Sequence, residues 1–198
     1  RVTTRQDLIY LCQNRRIAIA TKVIAILAWG GMHRKSFKSA VGCFTHWLPI
    51  CEQIAKGHHT RADAYEAFYK VRSDGNLTGM GPAYFTKLIC FLMPTDKDAP
   101  KGWIMDQWAA CSVNLLFRPD MVKMNSTHSW KNDGSLGATY LVSDTNGHDI
   151  YENFCAALDA LAVEMKIDRH TLDAALVSKG GRNPDHWRSY VIKNRKIY

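Results

Sequence analysis

"LTGMGPAYFTKLICFLMP", residues 77–94, holds a single lysine inside an almost entirely apolar run. A Gly-Met-Gly-Pro turn opens the stretch and Pro94 closes it. A solvated helix would carry several charges and a buried one normally none, so Lys87 requires a reason. On a helix beginning near Pro82, Lys87 shares a stripe with Ala83, Cys90 and Phe91. Tyr84, Phe85, Leu88, Ile89 and Leu92 cover most of the remaining surface. Burying an ammonium is costly. Such a lysine either snorkels to solvent or a carboxylate, or is held neutral by burial. A neutral amine is what a lysine nucleophile needs.

The turn also has two readings. Gly79 and Gly81 permit a tight connection between helices. Backbone N–H groups left exposed there, at the start of a new helix, can hold a phosphate. Nineteen residues past Lys87 stands Asp106, in "GWIMDQWAAC", preceded by an apolar triplet and followed by another apolar helix. Asp106 is a good helix N-cap, and a capping carboxylate can also face a cleft.

Outward from this stretch the chain reads as helices from end to end. "RRIAIATKVIAILAWGG" is a buried helix stopped by Gly30-Gly31. "SFKSAVGCFTHWLPICEQIAKG" starts at Ser36 and kinks at Pro49. "TRADAYEAFYKVR" offers Thr60 as N-cap with Asp63 in the first turn. Residues 118–149 are rich in Asn, Ser, Gly and Asp and read as long loops with one short helix at most. "DIYENFCAALDALAVEMK" spaces its apolar residues helically, with Asp149 and Glu152 as a capping-box-like start. "DRHTLDAALVSKGG" is a short helix ending at Gly180-Gly181, followed by a basic tail. No alternating strand pattern, repeat or low-complexity segment stands out. The expectation is an all-α fold, compact and two-lobed, in one domain spanning residues 1–198.

The length of 198 residues suffices for a real core, and 46% hydrophobic with 22% charged residues is ordinary for a globular protein. The net charge of +8 favours a polyanionic partner. The six cysteines form no CxxC and no zinc-like cluster, and read as reduced core residues of a cytoplasmic protein, nucleoid-associated if prokaryotic. The most apolar stretch, Ile17–Trp29, is too short to span a bilayer and contains Lys22. No signal peptide, metal site or cofactor motif is read.

A glycine hairpin, a lysine in the following helix and an aspartate some twenty residues on resemble the helix-hairpin-helix base-excision DNA glycosylases. The closest likeness is to 8-oxoguanine DNA glycosylases, whose hairpin reads roughly L-P-G-[VI]-G-x-K and whose aspartate ends a V-D-x-H segment. Leu77, Gly79, Met80 and Gly81 supply the hairpin, Lys87 the lysine and Asp106 the aspartate. The family's lysine falls two residues after the second glycine. Ala83 occupies that place here, and Lys87 lies one turn further on the same face. Trp108 stands where the family has histidine. No segment reads as the family's N-terminal β-domain, so a minimal helical version is expected, its helix-hairpin-helix at about residues 66–94.

The resemblance implies a monomeric enzyme that flips a modified base out of double-stranded DNA. Lys87 would attack the sugar C1′, expelling the base and leaving a Schiff base that can eliminate the 3′ phosphate. Asp106 would stabilise developing charge or shuttle protons, or position water in a monofunctional reaction. Gly79, Met80 and Gly81, with Arg34 and Lys35 in "MHRKSFK", would bind DNA. Arg182, Arg188, Lys193, Arg195 and Lys196 would add phosphate contacts. Trp29, His33, Trp47, Trp103 and Trp108 could stack on an extruded base. Arg118 and "NSTHSWKNDG" could wedge into the duplex. A guanine lesion is the default substrate; Trp108 and the long 118–149 segment leave room for a bulkier base such as those in viral DNA, with defence instead of repair as the role. A non-catalytic helix-hairpin-helix DNA-binding module and a helical protein-interaction domain are the competing classes.

Overall fold

The computed structural model describes residues 4–95, 99–130, 136–181 and 183–195. Two compact units divide the chain. The first runs to Ile104 and includes Gly147–Asp149; the second comprises Met105–Asn146 and the chain from Ile150 onward.

The first unit holds α1 (Arg5–Gln13), α2 (Ile19–Trp29), α3 (Arg34–Gly42), α4 (Phe44–Ala55), α5 (Arg61–Ser73) and α6 (Pro82–Leu92). Helix α6 packs against α1, α2, α4 and α5. Four neighbours explain why its sequence is apolar almost all round. Phe85 stacks on Phe68 at 5.3 Å between centroids and meets Tyr65 edge-on at 5.0 Å. Local chemistry sets the ends of these elements. Thr60 and Asp63 form a reciprocal capping box on α5. Pro82 sits in the first turn of α6, where its missing N–H has no intrahelical partner to lose. Gly31, at φ +69°, ends α2.

The segment 34–55 departs from expectation. It starts at Arg34, capped by His33, and breaks at Cys43, while α4 runs through Pro49. Pro49 is the sixth of the twelve residues of α4, which continues through it, whereas Cys43 (φ −106°, ψ 16°) takes the backbone out of the helical region.

The second unit holds α7 (Gln107–Leu116), β1 (Met124–Trp130), β2 (Leu136–Val142), α8 (His148–Met165, whose first two residues belong to the first unit), α9 (Arg169–Val177) and α10 (His186–Asn194). Helix α7 packs against α9, α10 and β2. The fold is predominantly helical, but residues 118–149 contain an antiparallel hairpin where loops were expected. The strands carry Asn, Ser, Thr and Gly and bury only their proximal ends, so no apolar alternation marks them. Two buried asparagines hold the hairpin at its base. Asn114 pairs with both backbone groups of Val122 at 2.8 Å. Asn146 accepts from Lys123 N at 2.9 Å and donates to the carbonyls of Lys123 and Ser143. The expected basic tail is also structured: Trp187 Nε1 donates to the buried Ser112 hydroxyl at 3.0 Å, and Val191 is buried, so α10 docks on α7.

All six cysteines are thiols. Burial pushes Cys12 up to about 12 and Cys111 up to about 11, as inert core thiols require. No helix among the described residues is long and apolar enough to cross a membrane.

Candidate active site

The glycine turn closes against α3. Gly79 has φ +77°, and a Cβ there would lie 2.5 Å from the Ser36 carbonyl oxygen and 2.9 Å from Ser39 Cβ. This contact sets the exposed side chains of Arg34, Lys35 and Lys38 beside the turn. Thr78 and Gly79 are exposed. Met80 is completely buried, backbone included, so it offers a ligand no contact although the sequence had placed it in the DNA-binding turn. Arg72 Nη1 donates to the carbonyls of Leu77 (3.1 Å) and Met80 (3.0 Å), directing them inward.

Gly79→Ala is therefore expected to destabilise by more than the roughly 1–2 kcal/mol of a left-handed alanine, because a backbone oxygen cannot yield. Gly75 has φ +76° with nothing within 4 Å of its Cβ position, so Gly75→Ala isolates the conformational part. Urea midpoints of the two variants check the difference.

Lys87 is 8% exposed on α6. Its Nζ donates to the Ala83 carbonyl at 2.7 Å and lies 5.0 Å from the Tyr84 ring centroid. The side chain follows the normal helical lean toward the N-terminus, which returns the amine one turn toward the glycine turn. Its stem crosses the end of α2: a Cβ on Gly30 would meet Lys87 Cδ at 2.8 Å and Cε at 3.2 Å. Tyr84 Oη donates to the Gly31 carbonyl at 3.5 Å.

Asp106 belongs to the second unit and caps α7. Its Oδ1 accepts from Trp108 N at 2.9 Å and Ala109 N at 3.0 Å. Around it gather groups that sequence reasoning did not connect with it. The Arg188 guanidinium covers one face of Trp108 at 3.5 Å from the ring centroid. Arg188 is 8% exposed and donates to the carbonyls of Val177 and Ser178, against the negative end of α9. Burial pulls the Arg188 guanidinium below its ordinary value; Asp106 opposes this and Arg195 adds to it. Arg195 lies 3.7 Å over Tyr140 and 5.2 Å from Trp108. Gln107, with its amide oriented to satisfy both neighbours, donates to the Tyr140 carbonyl at 2.8 Å and accepts from Trp108 Nε1 at 3.0 Å.

The aromatic candidates separate under this geometry. Trp103 and Trp47 are core, 1% and 0% exposed, and offer no face to a base. Trp29 is half-buried, edge-on to Phe91 at 5.2 Å with the Arg5 guanidinium above it. His33 is exposed, but its Nδ1 caps α3 by accepting from Lys35 N at 3.3 Å. Trp108 has one face taken by Arg188, so it serves packing more than open stacking. Arg188 is likewise committed to carbonyls and an indole, while Lys193 is exposed. Arg182, Lys196 and residues 131–134 of the expected wedge lie outside the described residues.

A cavity of about 700 Å³ in the first unit is lined by Cys12, Lys22, Glu52, Lys56 and Phe91 among others, at the end of α6 away from the glycine turn. Lys22, a second buried lysine, donates to the Cys12 carbonyl at 2.6 Å there and so closes the end of α1. No group of three His, Cys, Asp or Glu side chains able to hold a metal ion occurs among the described residues.

No curated protein and no solved structure matches the chain. One family model does, over residues 1–177, which include the glycine turn, Lys87 and Asp106 and leave α10 beyond its end; its description is "Putative 8-oxoguanine DNA glycosylase OGG-like protein". With most of its length so matched, this chain belongs to the OGG-like DNA glycosylase family that this model describes.

Proposed function

We propose that the protein is a bifunctional DNA glycosylase acting on an oxidised or otherwise modified base in double-stranded DNA, with Lys87 as nucleophile and Asp106 as its assistant. The observation that carries this reading is the setting of Lys87. A single lysine is buried in an apolar helix, and its amine leans back to the carbonyl of Ala83, the position the family's lysine usually occupies. Family membership makes DNA the substrate class.

The chemistry follows from a primary amine. Once a nucleotide is extruded, Nζ of a neutral Lys87 attacks C1′. The glycosidic C–N bond breaks and its electron pair leaves with the base, which takes up a proton. Nζ passes one proton to O4′ as the sugar ring opens at C1′–O4′ and keeps the other, so a protonated C1′=N Schiff base results, the departing base having drawn its proton from solvent. Loss of a C2′ proton then expels the 3′ phosphate and nicks the strand. The Asp106 carboxylate stabilises positive charge developing on the sugar and relays protons. The glycine turn and the Arg34–Lys38 segment grip the backbone. A guanine lesion is the default substrate; tryptophan in place of the family's histidine at position 108 leaves room for a bulkier modified base, in which case the role would be defence instead of repair.

Borohydride reduction in the presence of abasic-site DNA tests the proposal. A covalent protein–DNA adduct and strand nicking are expected; salt-sensitive DNA binding without either would identify a non-catalytic binding module. Gly30→Ala supplies a finer check. Its φ of −68° suits alanine, so the fold should persist, but the new methyl displaces the Lys87 stem. Adduct formation should slow by about 10- to 100-fold, with the melting temperature little changed.

A further inference from the structure

The ends of four helices in the first unit leave the cavity of about 700 Å³ between them. Helix α1 contributes Cys12, α2 Ile19 and Lys22, α4 Ala55, and α6 Phe91 and Leu92. A volume of this size accommodates a small organic molecule. It is separate from the candidate catalytic residues: the glycine turn opens α6, and the cavity lies at the other end of that helix. Wall and rim differ in character. Phe91, Leu92 and Met93 are buried apolar walls, and Met93 is held where its sulfur accepts from Gly102 N at 3.2 Å. The rim carries Arg15, Lys56 and His58, all exposed.

Lys22 is the unusual group in this wall, because its side chain is only 7% exposed. An ammonium has three donors, and the acceptor it meets among the described residues is one neutral carbonyl, that of Cys12 at 2.6 Å. Such burial is costly, and the amine lines a space in which a further acceptor can sit. Negative charge is scarce there. Glu52 is the acidic side chain that the described lining supplies, against Arg15, Lys22 and Lys56. Burial keeps the Cys12 thiol protonated, so it adds no charge. The start of α2 adds to the same sign. Ala18 gives α2 no side-chain cap, and the positive end of the helix dipole falls at Ile19, in the cavity wall.

We propose that this cavity binds a small amphipathic organic acid, with its carboxylate or phosphate on the Lys22 ammonium and its apolar body against Phe91, Leu92 and Met93. The acid gives Lys22 charged acceptors beyond the Cys12 carbonyl, and the apolar walls strengthen those bonds by keeping water away. A flat ring or a short chain suits the apolar part. The depth of the amine selects a small ligand over a nucleic-acid strand.

Fluorescence titration of the folded full chain tests this with anilinonaphthalene sulfonate, an aromatic acid, and phenylnaphthylamine, its uncharged counterpart. Wild type should bind the acid at a single site. Benzoate or phenyl phosphate should displace it and benzamide should not; the tighter of the two acids identifies the acidic group. Lys22→Gln removes the charge and retains a donor for the Cys12 carbonyl. It should weaken the acid about 10- to 100-fold while leaving the neutral probe within about threefold. Ala55→Trp, which fills the cavity and leaves Lys22 in place, should remove both probes. No binding of the acid by wild type, or equal binding by wild type and both variants, would overturn the proposal. An equal loss of both probes in Lys22→Gln would overturn it too, by leaving an apolar hole without preference for an acid. Displacement of the probe by a DNA duplex would do the same, by assigning the cavity to the DNA-binding face. Borohydride trapping reads Lys87 and this titration reads Lys22, so either proposal can fail while the other stands.

Discussion

Lys87→Gln is expected to reduce the borohydride-trapped adduct to background and to abolish strand nicking, while leaving affinity for an abasic duplex within a few-fold. Glutamine keeps a side chain that can donate to the Ala83 carbonyl and fill the space beside Gly30, so the packing of α6 survives. Its amide nitrogen is not nucleophilic, so no Schiff base can form. Losses of about 10⁴-fold or more are usual when a covalent nucleophile is removed. Lys22→Gln is the matching control, since Lys22 is equally buried but closes the end of α1 beside the cavity at the far end of α6. It should form the adduct at the wild-type rate, provided the variant is folded. An adduct that persists in Lys87→Gln would transfer the role to another amine.

Asp106→Asn should lower the excision rate by about 10²- to 10⁴-fold, the range for losing a positioned acid–base or charge-stabilising group. The substitution separates two roles that one side chain combines. Asparagine caps a helix about as well as aspartate, so the bonds from Trp108 N and Ala109 N are kept and stability should hardly move. Asp106→Ala loses the cap as well, and should cost about 0.5–2 kcal/mol in addition. DNA affinity should be unchanged or tighter in Asp106→Asn, because a negative charge has been removed near a polyanion. Single-turnover kinetics, with chemical denaturation of both variants, would make the distinction. Excision at the wild-type rate by Asp106→Asn would reduce the aspartate to a structural cap.

Local features of the chain foretold local structure. Thr60 with Asp63, Asp106, Pro82 and Gly30-Gly31 all sit where their caps, starts and stops were expected. Each signal acts within about one helical turn, through a dihedral preference or a side chain reaching its own backbone. The break at Cys43 was not legible, because nothing in its residue type prefers that conformation. The hairpin was not legible either: its strands have no continuous buried face, and the asparagines that hold it, Asn114 and Asn146, belong to elements outside it.

The same division runs through the candidate site. The glycine turn, Lys87 and Asp106 are chemically conspicuous in the linear chain, since a charge in an apolar helix and a carboxylate at a helix start stand out from their neighbours alone. Folding decided what surrounds them. Gly30, fifty-seven residues before Lys87, clears the path of its stem. Arg188, eighty residues after Trp108, occupies the face that an extruded base was expected to use. Trp103 became core while Trp130 was left on the tip of a ribbon. Composition treats tryptophans alike; their exposure depends on packing between segments far apart in the chain, which no local periodicity encodes.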